Sequence, residues 1–369
     1  MEVESVALKL NKRPDGRYAA SVKIEGTNKR KYFYGKTQRE VKQKMLEYQI
    51  KQEQGLTVVE VSELWQDKHW QEIRPGTQVC YSPALRRVQE LFPRDFVKDV
   101  TPLDVKRTVD IVASQGLGKK SVETYLSVCS QIFDFAILMG QIKANPCAAV
   151  KVPKGLKQAK RKVPPEEYLD AIRNSIDEPF GLFAYMLLYT GLRRGELLAL
   201  QWKAIDIEKR TISVYQKVDY AATGNQPEIS DPKTEAGFRV VTLLDRLVPY
   251  LEKRRGKPEE YVFGGKRPLT MHQFQDRWRN YCIATGMYTE HKVPKMRRGK
   301  ATTATVKKPA MTPHQLRHAY ATLLYEADVS PKDAQKLLGH SRIDVTMDIY
   351  TEIREGRLSD ISDKLNNLG

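Results

Sequence analysis

The chain has 369 residues, with 62 lysines and arginines against 45 aspartates and glutamates, for a formal charge of +17. That length suits two or three domains with cores of their own, and 41% hydrophobic residues mark a folded chain rather than a disordered one. The positive excess points to a polyanionic partner, nucleic acid first, and no apolar run approaches the length of a membrane-spanning helix.

Residues 1 to 55 open with short alternating pieces. Tyr18-Ala-Ala-Ser-Val-Lys-Ile and Lys31-Tyr-Phe-Tyr are strand candidates, with turn-formers at Asp15-Gly16 and Gly26-Thr-Asn. Gln38 to Gln52 follows as one helix, with Val41, Met45, Leu46 and Tyr48 laid on that sheet. Lys23, Lys29, Arg30, Lys31 and Lys36 make the strands strongly basic, which is either a solvated surface or a polyanion-binding one. Gly35-Lys36-Thr37 is no phosphate loop, because Arg30 stands where the first glycine is required.

From Thr57 to Val150 the pattern is helical. Thr101-Pro-Leu-Asp104 is a helix start with a capping threonine and a returning carboxylate, and Val105, Val109 and Val112 continue one stripe. Ser121 to Met139 is a second strong helix, with Val122, Tyr125, Leu126, Cys129, Ile132, Phe133 and Ala136 facing inward and Gly140 ending it. A bundle of four or five helices is expected. Residues 151 to 164 are punctuated by proline and carry Lys151, Lys154, Lys160, Arg161 and Lys162, the composition of an extended basic linker that suits a path along a phosphate backbone.

In the remaining stretch, 165 to 369, Phe180 to Tyr189 is an apolar helix broken at Thr190-Gly191-Leu192. Arg193 then stands at the start of another, where guanidinium, free amides and helix dipole can all serve a phosphate oxygen. Thr211-Ile-Ser-Val-Tyr-Gln-Lys and Phe238-Arg-Val-Val-Thr-Leu are strands flanking Asp231-Pro-Lys233-Thr, which puts Lys233 on a hairpin. A turn lysine is ordinarily just solvated, and only this context singles it out. Residues 291 to 308 form a basic stretch expected to be irregular. Beyond Thr312-Pro313 a helix displays His314, Arg317 and His318, with Leu316, Ala319, Leu323 and Leu324 toward the core. Two histidines four apart can bind zinc, but Gln315 replaces the glutamate of a His-Glu-x-x-His site and no third ligand is evident. Ser330-Pro-Lys-Asp caps a short helix closed by Gly339, leaving His340 just past its end; Tyr350 follows ten residues on.

Thr190-Gly-Leu-Arg-Arg-Gly-Glu-Leu, Pro232-Lys-Thr, His314-Gln-Leu-Arg-His and Leu338-Gly-His with Tyr350 together resemble the motifs of tyrosine recombinases of the lambda-integrase type. The resemblance runs in three segments over nearly the whole chain. It implies a multidomain α+β architecture: an arm-site DNA-binding domain over 1–55, a three-stranded sheet plus helix; a helical core-binding domain over 57–150, in which Asn145-Pro146 also matches; the linker 151–164; and a mixed, mainly helical catalytic domain over 165–369. It implies Arg193, Lys233, His314, Arg317, His340 and Tyr350 as the catalytic set, with Arg193 rather than Arg194 active and Glu196 orienting it. His318 reads as a structural buttress. Tyr350 attacks to give a 3′-phosphotyrosine, Lys233 protonates the departing 5′ oxygen, and strands exchange through a Holliday junction without metal, ATP or other cofactor.

Double-stranded DNA is the implied partner, bound also through Lys23, Lys29, Arg30, Lys31 and the linker cations. A homotetramer exchanging C-terminal tails is implied too, the tail being the stripe Leu358, Ile361, Leu365 and Leu368, together with an excisionase and a host DNA-bending protein. Two alternatives stand beside integration of a mobile element: a type IB topoisomerase, which shares this chemistry, and an architectural DNA-binding protein with a vestigial tyrosine. Met1-Glu-Val-Glu-Ser lacks the pattern of a secretion signal, and Cys80, Cys129, Cys147 and Cys282 show no Cys-x-x-Cys spacing. A bacterial cytoplasmic, nucleoid-associated protein without a zinc finger is expected.

Overall fold

The computed structural model describes residues 10–23, 30–158, 163–232, 235–297, 300–351 and 353. The chain divides into two compact units, Met1–Ala159 and Lys160–Gly369.

The first unit holds two separate cores. Strands β1 (Asn11–Lys12), β2 (Tyr18–Lys23) and β3 (Arg30–Gly35) form an antiparallel sheet in that order, with Gly16 taking the left-handed conformation in the first turn. Ala20 opposite Phe33 turns inward onto Val41 and Met45 of helix α1 (Gln38–Gln54), making a small closed core. Period-two alternation then sends Arg30, Tyr32 and Tyr34 to the other face, where Arg13 lies 5.1 Å over the Tyr34 ring. Lys31 is exposed too, but it alternates with Arg30 and shares the parity of Phe33. Lys29 and the Gly26 turn lie outside the described residues, as does the side chain of Lys23.

The second core is a bundle of four helices, α2 (Val58–Glu72), α3 (Pro75–Leu91), α4 (Pro102–Ser114) and α5 (Lys119–Leu138). Capping boxes start two of them: Thr57 with Glu60, and Thr101 with Asp104, each side chain satisfying the amide the other leaves free. Val61, Trp65, Val109, Val122, Tyr125, Ile132 and Phe133 fill the interior. Asn145 pins the following segment back on α5 through Ser130 and Asp134, and its own oxygen accepts the Cys147 amide at 2.8 Å. The basic stretch after it has no regular structure over 151–158, yet it is not free chain. Val150, Val152 and Leu156 pack on the bundle, and the Lys157 carbonyl accepts the Lys119 amide at 2.9 Å. Lys151 and Lys154 are exposed, while Lys160, Arg161 and Lys162 lie outside the described residues.

The second unit is built round α7 (Gly181–Thr190), which is apolar on every side and buried along its whole length. Helices α6 (Glu166–Asn174), α8 (Arg194–Leu198), α9 (Val248–Lys253), α10 (Met271–Ala284), α11 (Pro313–Glu326) and α12 (Pro331–Leu338) surround or extend from it. Strands β4 (Ile205–Asp206), β5 (Thr211–Val214) and β8 (Arg239–Thr242) form one small sheet. The expected single strand from Thr211 to Lys217 breaks after Val214, because Lys217–Asp219 leaves to pair with Glu228–Ser230 as a second hairpin, β6 and β7. Residues 344–351 are helical again.

The expectation of an irregular stretch at 291–308 is corrected. Tyr288–Arg297 (β9) and Lys300–Pro309 (β10) pair antiparallel in unbroken register. Charge suggested a loop, but Thr289, Val293, Thr302, Thr303, Thr305 and Val306 are strand formers, and solvated lysines between them do not oppose pairing.

Gly191 shows how tightly α7 meets α11. Its φ is +62°, and a Cβ there would lie 2.1 Å from Cδ1 of the Tyr320 ring. Gly191→Ala should cost about 2–4 kcal/mol of stability in urea denaturation, from left-handed strain plus the ring clash. Gly286→Ala, at φ +75° with open space around it, should cost only about 1 kcal/mol. Equal losses would mean that close packing on Tyr320 is not what the glycine serves.

Candidate active site

Arg193 is fixed from both ends by one carboxylate. It caps α8 with extended backbone, its amide donates to Oε2 of Glu196 at 2.8 Å, and its Nη1 donates to Oε1 at 2.7 Å. Gly195 lets β6 lie directly on this turn, since a Cβ would meet the Val218 carbonyl oxygen at 2.6 Å. The same Glu196 carboxylate also takes a fork from Arg239 of β8, at 3.1 Å from Nη1 and 2.8 Å from Nη2. Burial alone would raise the Glu196 carboxyl, but the hydrogen bonds and charge of Arg239, then of Arg193, outweigh it and hold it at about 2.

Three cations meet the end of α12. Arg239 Nε donates to the Leu337 carbonyl at 2.9 Å, Arg317 Nη2 to that of Leu338, and Arg193 Nη2 to that of Gly339 at 2.7 Å. Arg317 reaches there from the first turns of α11, with its Nη1 on the Gly191 carbonyl at 2.7 Å. It is only 3% exposed. Burial, then the neighbouring Arg193 charge, press its pKa well below the usual arginine range, so the site favours an added anion.

Gly339, left-handed at φ +65°, turns the chain so that His340 follows at once. The His340 backbone is clamped by Gln335 in both directions, amide to carbonyl at 3.1 Å and side-chain Nε2 to carbonyl at 3.0 Å. Burial lowers the imidazole to about 3, helped by the charges of Arg317, Arg193 and Arg239, so the ring is neutral at physiological pH. Its Nδ1 lies 2.9 Å from the hydroxyl of Thr346.

The structure therefore brings Arg193, Arg317 and His340 together. His314 is exposed at the start of α11, edge-to-face with buried His318 at 5.6 Å. Tyr350 has other partners: its hydroxyl donates to the Val329 carbonyl at 3.1 Å, and its ring sits edge-on to Tyr325 among Tyr320, Ala321, Leu324 and Leu338. Burial, then Tyr320, raises the phenol's pKa there. Lys233 and the apolar stripe 358–368 lie outside the described residues. Among the described residues no group of three or more His, Cys, Asp or Glu could hold a metal ion, and no helix is long and apolar enough to cross a membrane.

Sequence reasoning missed Arg239. One signal for it existed: in β8 it shares its face with Val241, which is buried, and an inward arginine needs a carboxylate.

Residues 166–357 match the model of the phage integrase family. The chain is 28% identical to a XerC-like tyrosine recombinase of Caldanaerobacter subterraneus subsp. tengcongensis, over 92% of each chain. It is 25% identical to the ICEBs1 integrase of Bacillus subtilis, over 77% of this chain and 75% of that one. Among solved structures it resembles a Tn1549 transposon integrase in complex with a circular intermediate DNA (TM-score 0.63, 20% identity, 82% of this chain and 100% of that one). It also resembles a lambda integrase tetramer bound to a Holliday junction (TM-score 0.55, 19% identity, 94% and 96%).

Removing either partner of the buried Glu196–Arg239 pair strands the other. Arg239→Met should lower stability by about 3–5 kcal/mol in chemical denaturation, whereas an exposed control, Arg210→Met, should change it by less than about 1 kcal/mol. Because Glu196 is held at about 2 against an ordinary 4.5, its contribution is fully present above pH 4.5 and is lost as pH falls from there through 2. Glu196→Gln should cost about 3 kcal/mol at pH 7, and the gap to the unsubstituted protein should narrow steadily below pH 4.5. A constant gap across that window would contradict this assignment of the acid dependence.

Proposed function

The chain belongs to the phage integrase family and is a site-specific DNA recombinase of the tyrosine type; from that premise we propose that it integrates and excises a mobile element through a 3′-phosphotyrosine intermediate. The observation that carries the reading is the convergence of Arg193 and Arg317 on adjacent carbonyls beside neutral His340, with the Glu196 carboxylate paired to only two of the three guanidiniums gathered there, those of Arg193 and Arg239. A phosphodiester supplies the missing negative charge. In this reading Arg193 and Arg317 hold its non-bridging oxygens and stabilise the charge that builds as phosphorus becomes pentacoordinate.

Tyr350 Oη attacks phosphorus, the bond to the 5′ oxygen breaks, and the phenol's proton passes to a nearby acceptor, for which His314 is positioned on the same helix as Arg317. Lys233 gives a proton to the departing 5′ oxygen. A 5′ hydroxyl from another strand then reverses the step, and the phosphodiester energy is conserved throughout. To attack, Tyr350 must leave the Val329 carbonyl and enter the field of the arginines, which lowers the pKa of its phenol. The step is therefore conformational before it is chemical.

DNA is held more widely by the Arg30, Tyr32 and Tyr34 face of the first sheet, by Lys151 and Lys154, and by the β9–β10 hairpin with exposed Lys292 and Lys308. Four copies act together on two duplexes. The relatedness to the ICEBs1 integrase and the likeness to the Tn1549 integrase favour a mobile element as the substrate.

Nicked suicide duplexes made from the sequences flanking the gene test this. The unsubstituted protein should leave a covalent protein–DNA band on a denaturing gel. Tyr350→Phe should abolish that band and keep DNA binding. An adduct that persists in the variant would sink the reading, as would relaxation of supercoiled plasmid with no exchange between marked sites.

A further inference from the structure

Thr346 is fully buried, in the first turn of the helical segment 344–351 that carries Tyr350. Its hydroxyl meets one partner among the described residues, Nδ1 of His340 at 2.9 Å. A contact between a hydroxyl and a ring nitrogen can run either way. If Nδ1 carried the proton and donated, the threonine proton would need an acceptor of its own, and no other is recorded for this buried group. The hydrogen therefore runs from Thr346 to Nδ1. In a neutral imidazole the single remaining N–H then sits on Nε2.

We propose that Thr346 is a positioning residue for the recombination reaction: its hydroxyl fixes the His340 tautomer with the proton on Nε2, making the neutral ring a hydrogen-bond donor to the phosphate. The assignment rests on the proposed phosphate site but concerns a residue outside the catalytic set. An Nδ1–H tautomer would present a lone pair to an anionic oxygen, which repels where donation is needed. Protonating both nitrogens would also provide a donor, but the three neighbouring arginines oppose a further positive charge. A neutral donor thus requires something to choose the nitrogen, and Thr346 occupies that place.

Two further features support a built arrangement. The His340 backbone is already clamped by Gln335 at both its amide and its carbonyl, which leaves ring orientation and tautomer as what Thr346 sets. His340 also borders a cavity of about 600 Å³ lined by Phe238, Arg239, Val240, Lys332 and Gln335, so the residue is not sealed within the protein. Thr346 and Tyr350 are four residues apart on one helical face. The segment that bears the nucleophile thereby also sets the donor, and displacement of that segment reaches both.

The test pairs Thr346→Val, which keeps shape and removes the hydroxyl, with Thr346→Ser, which keeps the hydroxyl. Nitrogen-15 NMR of histidine-labelled full-length protein reads the tautomer, with only six histidines to resolve and His340→Asn to assign the signal. The unsubstituted ring should show protonated Nε2 and bare Nδ1. Thr346→Val should lose that fixed pattern and slow adduct formation on the suicide duplex by about 10–100-fold with DNA binding unchanged, and Thr346→Ser should restore both. A proton found on Nδ1 in the unsubstituted protein overturns the proposal, as does a valine variant with full rate and the same tautomer, or a serine variant as impaired as valine. Absence of any adduct from the unsubstituted protein would count against the recombinase mechanism, while the NMR arm would still decide the role of Thr346.

Discussion

Three consecutive carbonyls, those of Leu337, Leu338 and Gly339, each accept a hydrogen bond from a different arginine, and the rest of the second unit is arranged to make that possible. A helix ends with unpaired carbonyls and the negative pole of its dipole, so the C-terminus of α12 is one of the few neutral structures that can gather several guanidiniums. The cations arrive from β8, from α11 and from the start of α8, and lie 98, 21 and 146 residues along the chain from the carbonyls they reach. Among the described residues Glu196 supplies the one carboxylate that Arg193 and Arg239 share. The balance is deliberately incomplete in sign: repulsion among the arginines is tolerated through fixed dipoles, which cannot neutralise them. Donors held this way need no reorganisation when charge develops on a bound phosphate, which is the physical content of preorganised catalysis.

Tyr350, the nucleophile of the proposed mechanism, has the opposite environment. Tyr350 rests in an apolar pocket where burial raises its pKa and its proton is committed to the Val329 carbonyl. A phenol so placed is a poor nucleophile. Moving it among the arginines would reverse both effects at once, since positive charge favours phenolate and withdrawal from the pocket frees the proton. In the proposed mechanism, reactivity is thus tied to the position of residues 344–351.

Much of this was legible because the chemistry restricts residue type and spacing together. Gly191 and Gly195 stand out in sequence, and each has a separate geometric cause, the Tyr320 ring and the Val218 carbonyl. The capping pairs at Thr57 and Thr101 are local and needed only three residues of context. What failed was long range or compositional. Arg239 reads as a surface strand residue until its parity with Val241 is noticed, and its partners lie 43 and 98 residues away. The β9–β10 hairpin was hidden by its lysines, because net charge governs solubility and partners while strand pairing follows backbone register and branched side chains. The place of Tyr350 could not be read from sequence at all, because the spacing of its motif says nothing of the Val329 carbonyl 21 residues away that takes its hydroxyl.

The glycine before His340 draws these threads together. It must be left-handed to end α12 so that His340 turns back over the helix terminus, and only glycine takes that conformation without strain. It must also be small, because a Cβ would stand 2.8 Å from the Ala236 carbonyl oxygen and 2.9 Å from Nη1 of Arg239. The second requirement does not follow from the first, since many helix-ending glycines face open space, as Gly140 does here. Either a side chain or a different turn at this position would separate the Arg239–Glu196 pair from the carbonyls that hold Arg317 and Arg193. The Leu-Gly-His sequence is thus a packing constraint on the arginines as much as a means of presenting the histidine.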